Sequence, residues 1–208
     1  MDIGILNSAS QPVPAPLPRQ WLGRFDAPSA VPTWANFPGL TSIQIANLMS
    51  QIAYDASQWN YTLVGPNNEL GRYQFTTQEL ENYGLILSGS NAEYGTACVN
   101  YRHCWTPITI RNSVNSYANY IYNSANIGDF LNTRPAQEHL AYQKASDLYY
   151  ELKRITAIQD TDSVETIAGM IYVAWKIGTD AYAWRYQGTG TASQYYNAGR
   201  YAITVLSQ

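Results

Sequence analysis

Helix-start signals, each followed by apolar residues at helical spacing, recur from Thr41 to the C-terminal end of the chain. Thr41-Ser-Ile-Gln44 and Thr76-Thr-Gln-Glu79 both have the form of a capping box, in which two side chains satisfy the first free backbone N–H groups of a helix. The first box opens an apolar stripe on one helix face, made of Ile45, Leu48, Met49, Ile52 and Ala53. No segment of useful length alternates as a strand would. The sequence therefore predicts a mainly α-helical fold.

The remaining helices are predicted from the same signals. They are expected at about residues 113–131, from Thr133-Arg-Pro135 to about Ile155, at about 164–177 between the N-cap Ser163 and the terminating Gly178, and at about 193–206. Gly84 is expected to end the short helix that Thr76 begins. Residues 85–111 are predicted to be irregular because glycine and proline interrupt them.

Residues 1–40 differ in character from residues 41–208, which are predicted to form the helical domain. Seven of the 10 prolines lie in this first part, and their alternation in residues 11–18 favours an extended polyproline conformation over a helix. Aromatic anchors are spaced along the same segment: Trp21, Phe25, Trp34 and Phe37. We interpret it as an extended proline-rich arm whose aromatic residues bind a partner. An arm that lies on its own domain is the alternative.

Composition limits the classes of partner. Charged residues make up only 13% of the chain and the net charge is -3, so no basic surface for nucleic acid is expected. No apolar run is long enough to insert into a membrane, and the first residues lack the pattern of a secretory signal. The 18 tyrosines suit either protein interfaces or a partly buried core.

Two cysteines and two histidines are the only soft metal ligands in the sequence. Cys98, His103 and Cys104 lie close together, but His139 is distant and no fourth ligand accompanies the three, so no metal site and no cofactor is expected. A disulfide between the two cysteines and a reduced pair both remain open.

Leu70-Gly-Arg-Tyr-Gln-Phe75 is the segment that carries chemical information. It follows an amphipathic helix and a turn-rich loop, and in this context it resembles the Gly-x-x-Gln signature of lysozyme-like lytic transglycosylases and related phage domains. The resemblance extends to Ala136-Gln-Glu138, to Ile167-Ala-Gly-Met-Ile-Tyr-Val-Ala174 and to Tyr195-Tyr-Asn-Ala-Gly-Arg-Tyr-Ala202. It covers residues 42–206 and implies a lysozyme-like helical domain, with Gly71, Tyr73 and Gln74 lining a glycan cleft. The alternative is that these residues, with Phe75, only hold the fold.

The chain departs from that family where its catalytic glutamate would stand. Asp55 is the nearest carboxylate, sixteen residues before Gly71, and is the candidate acid if catalysis survives. Its side chain is one methylene shorter than glutamate, and a misplacement of about 1 Å can cost on the order of 100-fold in rate. The alternative for Asp55 is a solvated residue at a helix end. Trp175-Lys176 and the loop after Gln187 also lack polar or acidic groups that the family carries there.

The neighbouring carboxylates have structural interpretations. Glu69 lies in the turn before the motif, Glu79 is the capping-box partner of Thr76, and Glu81 is predicted to lie on a solvated helix face.

The resemblance and the missing glutamate together favour a structural role. We expect a tail or baseplate component of a bacteriophage virion, assembled in the host cytoplasm, whose arm binds other tail proteins. An active peptidoglycan-cleaving enzyme that uses Asp55 is one alternative. A glycan-binding module without turnover is the other.

Overall fold

The computed structural model describes residues 37–106, 126–187 and 192–204, and within them the fold is mainly helical, as predicted. Pairing of extended segments is limited there to isolated bridges. The helices are α1 (Ser42–Ser57), α2 (Thr77–Asn82), α3 (Ser90–Tyr94), α4 (Ile127–Asn132), α5 (Arg134–Arg154), α6 (Val164–Ile177), α7 (Ala181–Gln187) and α8 (Ser193–Thr204).

Both predicted capping boxes are present. The backbone N–H of Thr41 donates to the Gln44 side chain over 2.9 Å, and the backbone N–H of Gln44 donates back to the Thr41 hydroxyl over 3.3 Å. Thr76 and Glu79 repeat the arrangement at the start of α2. The predicted stripe of α1 is buried. Local sequence therefore fixes where these two helices begin and which face turns inward.

Other boundaries differ from the predictions. The segment predicted as irregular contains α3 and the 3₁₀ turns Gly95–Asn100 and Arg102–Cys104, and α7 was not predicted, because elements this short have no apolar period. Of the helix predicted at about 113–131, residues 126–131 are described, and there the prediction is corrected: Asn126 is extended and caps α4, which begins at Ile127. Thr133 precedes α5, but its hydroxyl donates to Asp129 O at 2.7 Å and does not cap the helix.

α6 lies at the centre of the fold. Nine consecutive residues of this helix, Ile167–Trp175, are buried, and α1, α5 and α8 all pack against it. α8 approaches most closely where Gly199 faces α6, since a Cβ atom on Gly199 would lie 2.7 Å from the carbonyl oxygen of Ala168. The small residues in the Ile167–Ala174 and Tyr195–Ala202 segments thus permit a close helix crossing.

Phe37 corrects the predicted limit between arm and domain. It is 4% exposed and packs edge-on against Tyr142 at 5.7 Å and Tyr149 at 5.9 Å, and Leu40 is also in the core. The domain therefore begins by Phe37 and not at residue 41. The structure also corrects the prediction that Phe37 binds a partner, because its ring packs on its own domain. Trp21, Phe25 and Trp34 lie outside the described residues.

Candidate functional site

The Leu70–Phe75 motif forms a tight turn held by its own backbone. Gly71 has φ +75° and its N–H donates to Leu63 O at 2.8 Å, while Leu70 and Phe75 exchange backbone hydrogen bonds of 2.9 and 3.0 Å. The Gln74 amide donates to Gly71 O at 2.8 Å and to Leu63 O at 3.3 Å. The side-chain nitrogen of Gln74 therefore stabilises the turn, although this side chain is only half-buried.

A buried charge pair lies beneath this turn. Arg72 is 2% exposed and Glu138, on α5, is 1% exposed, with 3.3 Å between Arg72 Nε and Glu138 Oε1. Two tyrosine hydroxyls donate to the same carboxylate over 2.6 Å, Tyr61 to Oε1 and Tyr73 to Oε2. Arg72 Nη1 also donates to the Tyr61 hydroxyl over 2.9 Å. We call Tyr61, Arg72, Tyr73 and Glu138 the buried network.

Gln137 joins the turn to two helices. Its side-chain oxygen accepts from the Arg72 N–H at 2.8 Å, and its nitrogen donates to Tyr61 O at 3.0 Å and Phe130 O at 3.1 Å. A Cβ atom on Gly71 would lie 2.1 Å from that oxygen. Glycine is thus required at residue 71 both by the positive φ and by the approach of Gln137. At the C-terminal end of α1, the Ser57 hydroxyl donates to Arg72 O at 2.6 Å.

Burial sets the protonation of this network. It raises the pKa of Glu138, while Arg72 and the two tyrosine donors oppose that rise. It also raises the pKa of Tyr61 and of Tyr73, and the negative charge of Glu138 adds to both shifts because it disfavours a tyrosinate beside it. The hydroxyl protons are therefore held firmly on both rings.

We expect an alkaline titration to reveal buried tyrosines that ionise late. Burial raises the pKa of Tyr83 and Tyr172 in the same way as that of Tyr61 and Tyr73. Since the folded pKa is above the unfolded value of about 10, these groups stabilise the fold below pH ~10 and that contribution is lost as pH rises further. Tyrosinate absorbance should show these four ionising only as circular dichroism reports unfolding.

The matched variant is Tyr172→Phe, which removes one of the four buried hydroxyls and should reduce the late-ionising absorbance by one group. Early ionisation of all the tyrosines, with the helical signal intact, would contradict the prediction.

Asp55 lies in the last turn of α1 and is exposed. Each of its carboxylate oxygens accepts from the Gln51 amide at 3.2 Å, and Oδ2 also accepts from the Tyr172 hydroxyl of α6. Lys176, one turn further along α6, is close enough to interact with Asp55 electrostatically. A glycosidase acid must be placed to donate a proton to the glycosidic oxygen, whereas both Asp55 oxygens accept hydrogen bonds from neighbouring side chains.

Two of the three residues predicted to line the cleft are buried. Tyr73 is 2% exposed and Gly71 is buried, so neither forms the wall of an open cleft. None of the hydrogen bonds described for Asp55 joins it to Gly71, Tyr73 or Gln74. The alternative interpretation, in which the motif holds the fold, describes their surroundings better.

The other carboxylates serve local structure. Glu79 caps α2 and also pairs with Lys144, whose Nζ lies 3.9 Å from the centre of the Trp175 ring. Glu81 corrects a prediction, since it is half-buried and accepts from the backbone N–H groups of Gly89 at 2.9 Å and Asn91 at 2.8 Å. These bonds lower the pKa of Glu81. Glu69 accepts from the side chain and backbone N–H of Asn67.

Cys98 and Cys104 are both reduced and buried. Burial raises the pKa of the Cys98 thiol to about 11, which keeps it protonated and poorly reactive near neutral pH. Within the described part of the chain, no group of three or more potential ligands is placed to hold a metal ion. Over the same residues, no helix is long and apolar enough to span a bilayer.

Sequence reasoning did not identify the buried network. Arg72 lay inside the motif and Glu138 inside the resembling Ala136-Gln-Glu138 segment, but neither was expected to pair with the other. The available signal was an arginine between apolar neighbours in a chain with few charges. Such a residue is either exposed or needs a buried partner.

No family model, curated protein or solved structure matches the chain.

Proposed function

We propose that this chain is a structural component of a bacteriophage tail or baseplate, built on a degenerate lysozyme-like domain that does not cleave glycan. The observation that most supports the absence of glycan cleavage is the burial of the motif. Tyr73, proposed from the resemblance to line a glycan cleft, is 2% exposed and donates its hydroxyl to Glu138. The motif's polar groups thus stabilise the domain and leave little for a substrate.

Neither carboxylate is suited to protonate a glycosidic oxygen. Glu138 is buried at 1% exposure and already binds one guanidinium and two hydroxyls. Asp55 is accessible, but it accepts hydrogen bonds on both oxygens. A general acid must reach within about 3 Å of the oxygen that it protonates. The buried acid cannot reach a glycan, and the exposed one is held by its neighbours as an acceptor.

The first test is dye release from labelled peptidoglycan, with wild type beside Asp55→Asn and an active lysozyme as positive control. We expect no release from either form of the protein. Folding of both is checked by circular dichroism, so that inactivity is not mistaken for unfolding. Release by the wild type that disappears in Asp55→Asn would overturn the proposal and identify Asp55 as the acid.

The proposed partner surface is the outer part of the arm, which carries Trp21 and Phe25. Large aromatic side chains on an extended, proline-stiffened segment can bind a neighbouring subunit at a low cost in conformational entropy. The protein would be assembled with other tail proteins in the host cytoplasm and retained in the virion.

Incorporation into particles tests this part of the proposal. We expect the wild type to be present in purified tails by mass spectrometry, and a Trp21→Ala/Phe25→Ala variant to be folded but reduced at least tenfold in tails. The matched control is Tyr182→Ala, which removes a 36% exposed ring from the domain surface and should leave incorporation unchanged. Absence of the wild-type protein from particles would contradict the structural role.

A further inference from the structure

The three lysines of the chain, Lys144, Lys153 and Lys176, lie in different surroundings. Lys144 pairs with Glu79, and its side chain is only 11% exposed. Lys153 is more accessible, but its ammonium pairs with the carboxylate of Asp160. Lys176 is exposed, and among the described residues it has neither a hydrogen bond nor an ion pair. It is therefore the lysine whose amine is both accessible and uncommitted within the described part of the chain.

Two tyrosine rings form an apolar wall beside the amine of Lys176. Its Nζ lies 5.5 Å from the centre of the Tyr195 ring, on α8, and 6.0 Å from the centre of the Tyr172 ring, on α6. The two rings pack on each other with their centres 5.5 Å apart. Cation–π attraction is effective only within about 6 Å, so it is weak here. The main effect of the wall is to displace water from one side of the amine.

This displacement of water acts on the protonation of Lys176. Burial by the surrounding protein lowers the pKa of Lys176, and the negative charges of Asp55, on α1, and Glu79, on α2, oppose that change. Burial also lowers the pKa of Lys144, to which the positive charge of Lys176 adds. By contrast, the hydrogen bond to its carboxylate partner raises the pKa of Lys153. A lysine with a lowered pKa carries more of the neutral amine, which is the nucleophilic form.

We propose that Lys176 is a site of covalent acylation, at which the amine reacts with activated acyl donors of the acyl phosphate class. The reaction needs an amine that is both neutral and accessible. Lys144 lacks the access, and Lys153 is held as an ammonium by its partner. The site does not depend on the proposed function, because it is a property of the isolated protein.

The reaction balances without a cofactor or an oxidant. The ammonium of Lys176 first releases one proton to water. The neutral nitrogen then attacks the carbonyl carbon of the acyl phosphate, a C–N bond forms, and the C–O bond to the phosphate breaks. The phosphate takes up the proton that the nitrogen loses and leaves as hydrogen phosphate. The product is an amide, so the side chain loses its positive charge.

The experiment measures the rate of acetylation of each lysine in the full-length protein. The folded protein is incubated with acetyl phosphate near neutral pH, and peptide mass mapping follows the three lysines separately. We expect Lys176 to react at least about tenfold faster than Lys153, since one unit of difference in pKa changes the neutral fraction about tenfold. Lys144 should be the slowest. A rate at Lys153 equal to or above that at Lys176 would overturn the proposal.

The same reaction in denaturant separates the effect of the fold from that of local sequence. We expect the three lysines of the unfolded chain to react at similar rates, because the wall and the ion pairs are then absent. Preference for Lys176 that persists in denaturant would overturn the proposal, since the folded site would not be its cause.

Asp55→Asn tests the charge cluster around the amine. It removes a negative charge that favours the ammonium, so acetylation of Lys176 should become roughly two- to fivefold faster. The matched variant is Asp160→Asn, which should accelerate Lys153 and leave Lys176 unchanged. Circular dichroism checks that both variants are folded. An unchanged or slower reaction of Lys176 in Asp55→Asn would contradict the proposal.

Discussion

Arg72→Met should lower the free energy of unfolding by about 3–5 kcal/mol, because it leaves the carboxylate of Glu138 buried without its positive partner. The two groups are 2% and 1% exposed, so water cannot replace the lost interaction without opening the core. Glu138→Leu should be destabilising for the converse reason, and it also leaves the Tyr61 and Tyr73 hydroxyls without an acceptor. Denaturant unfolding followed by circular dichroism measures each loss.

The double variant Arg72→Met/Glu138→Leu separates pairing from packing. Removing both charges removes the unpaired ion, so the double variant should be more stable than the sum of the single losses implies, with a coupling of about 0.5–3 kcal/mol. The matched control is the exposed pair of Arg154 and Glu151, whose removal should leave the free energy of unfolding nearly unchanged. Additive losses in the buried pair would contradict the network.

A milder variant serves if Arg72→Met does not fold. Tyr73→Phe deletes only one hydroxyl donor to the Glu138 carboxylate, and a hydrogen bond to a charged group contributes about 1.5–3 kcal/mol. We expect a loss of that size in the free energy of unfolding. No loss would mean that the carboxylate does not depend on this donor.

Gly71→Ala is the second substitution with a large expected effect. The left-handed φ of +75° costs an alanine about 1–2 kcal/mol. In addition, the new Cβ would lie 2.1 Å from Gln137 Oε1 and would displace a side chain that holds the motif to α4 and α5. Leaving those buried groups unpaired costs about 1–3 kcal/mol for each group.

Gly89→Ala isolates the backbone contribution. Gly89 has φ +87°, but nothing lies within 4 Å of a Cβ atom at that position. We therefore expect Gly89→Ala to cost only the conformational strain and Gly71→Ala to cost at least ~2 kcal/mol more. Equal losses in the two variants would show that Gln137 gives way without consequence. In a Gly71→Ala/Gln137→Ala variant the two losses should not add, because each disrupts the same contact.

These variants also bear on the proposed function. If the motif stabilises the domain, its substitutions should change the free energy of unfolding, with no glycan-cleaving activity to lose. Asp55→Asn, by contrast, keeps an oxygen that can accept from the Tyr172 hydroxyl, and it should change stability less than substitutions in the buried network. In a working active site the opposite would be expected: substitution of the acid would abolish the rate of cleavage.

The sequence by itself determined the helical class and the starts of α1, α2 and α6. It did so because capping residues and apolar spacing act within a few positions along the chain, as the hydrogen bonds of Thr41, Thr76 and Ser163 illustrate. The short α3 and α7 escaped prediction because their stability comes from contacts with the rest of the domain.

Only the tertiary structure decided what the motif does. Arg72 and Glu138 are separated by 66 positions, and no local pattern states that they meet beneath one turn. Whether a tyrosine or a carboxylate faces solvent or the core depends on which helix packs over it. For this reason Tyr73, which was predicted to line a cleft, lies in the core. Asp55 was predictable as a carboxylate at a helix end, but its acceptor role was set by Tyr172 on a different helix. Contacts of this kind arise from packing of distant segments, which local propensities do not encode.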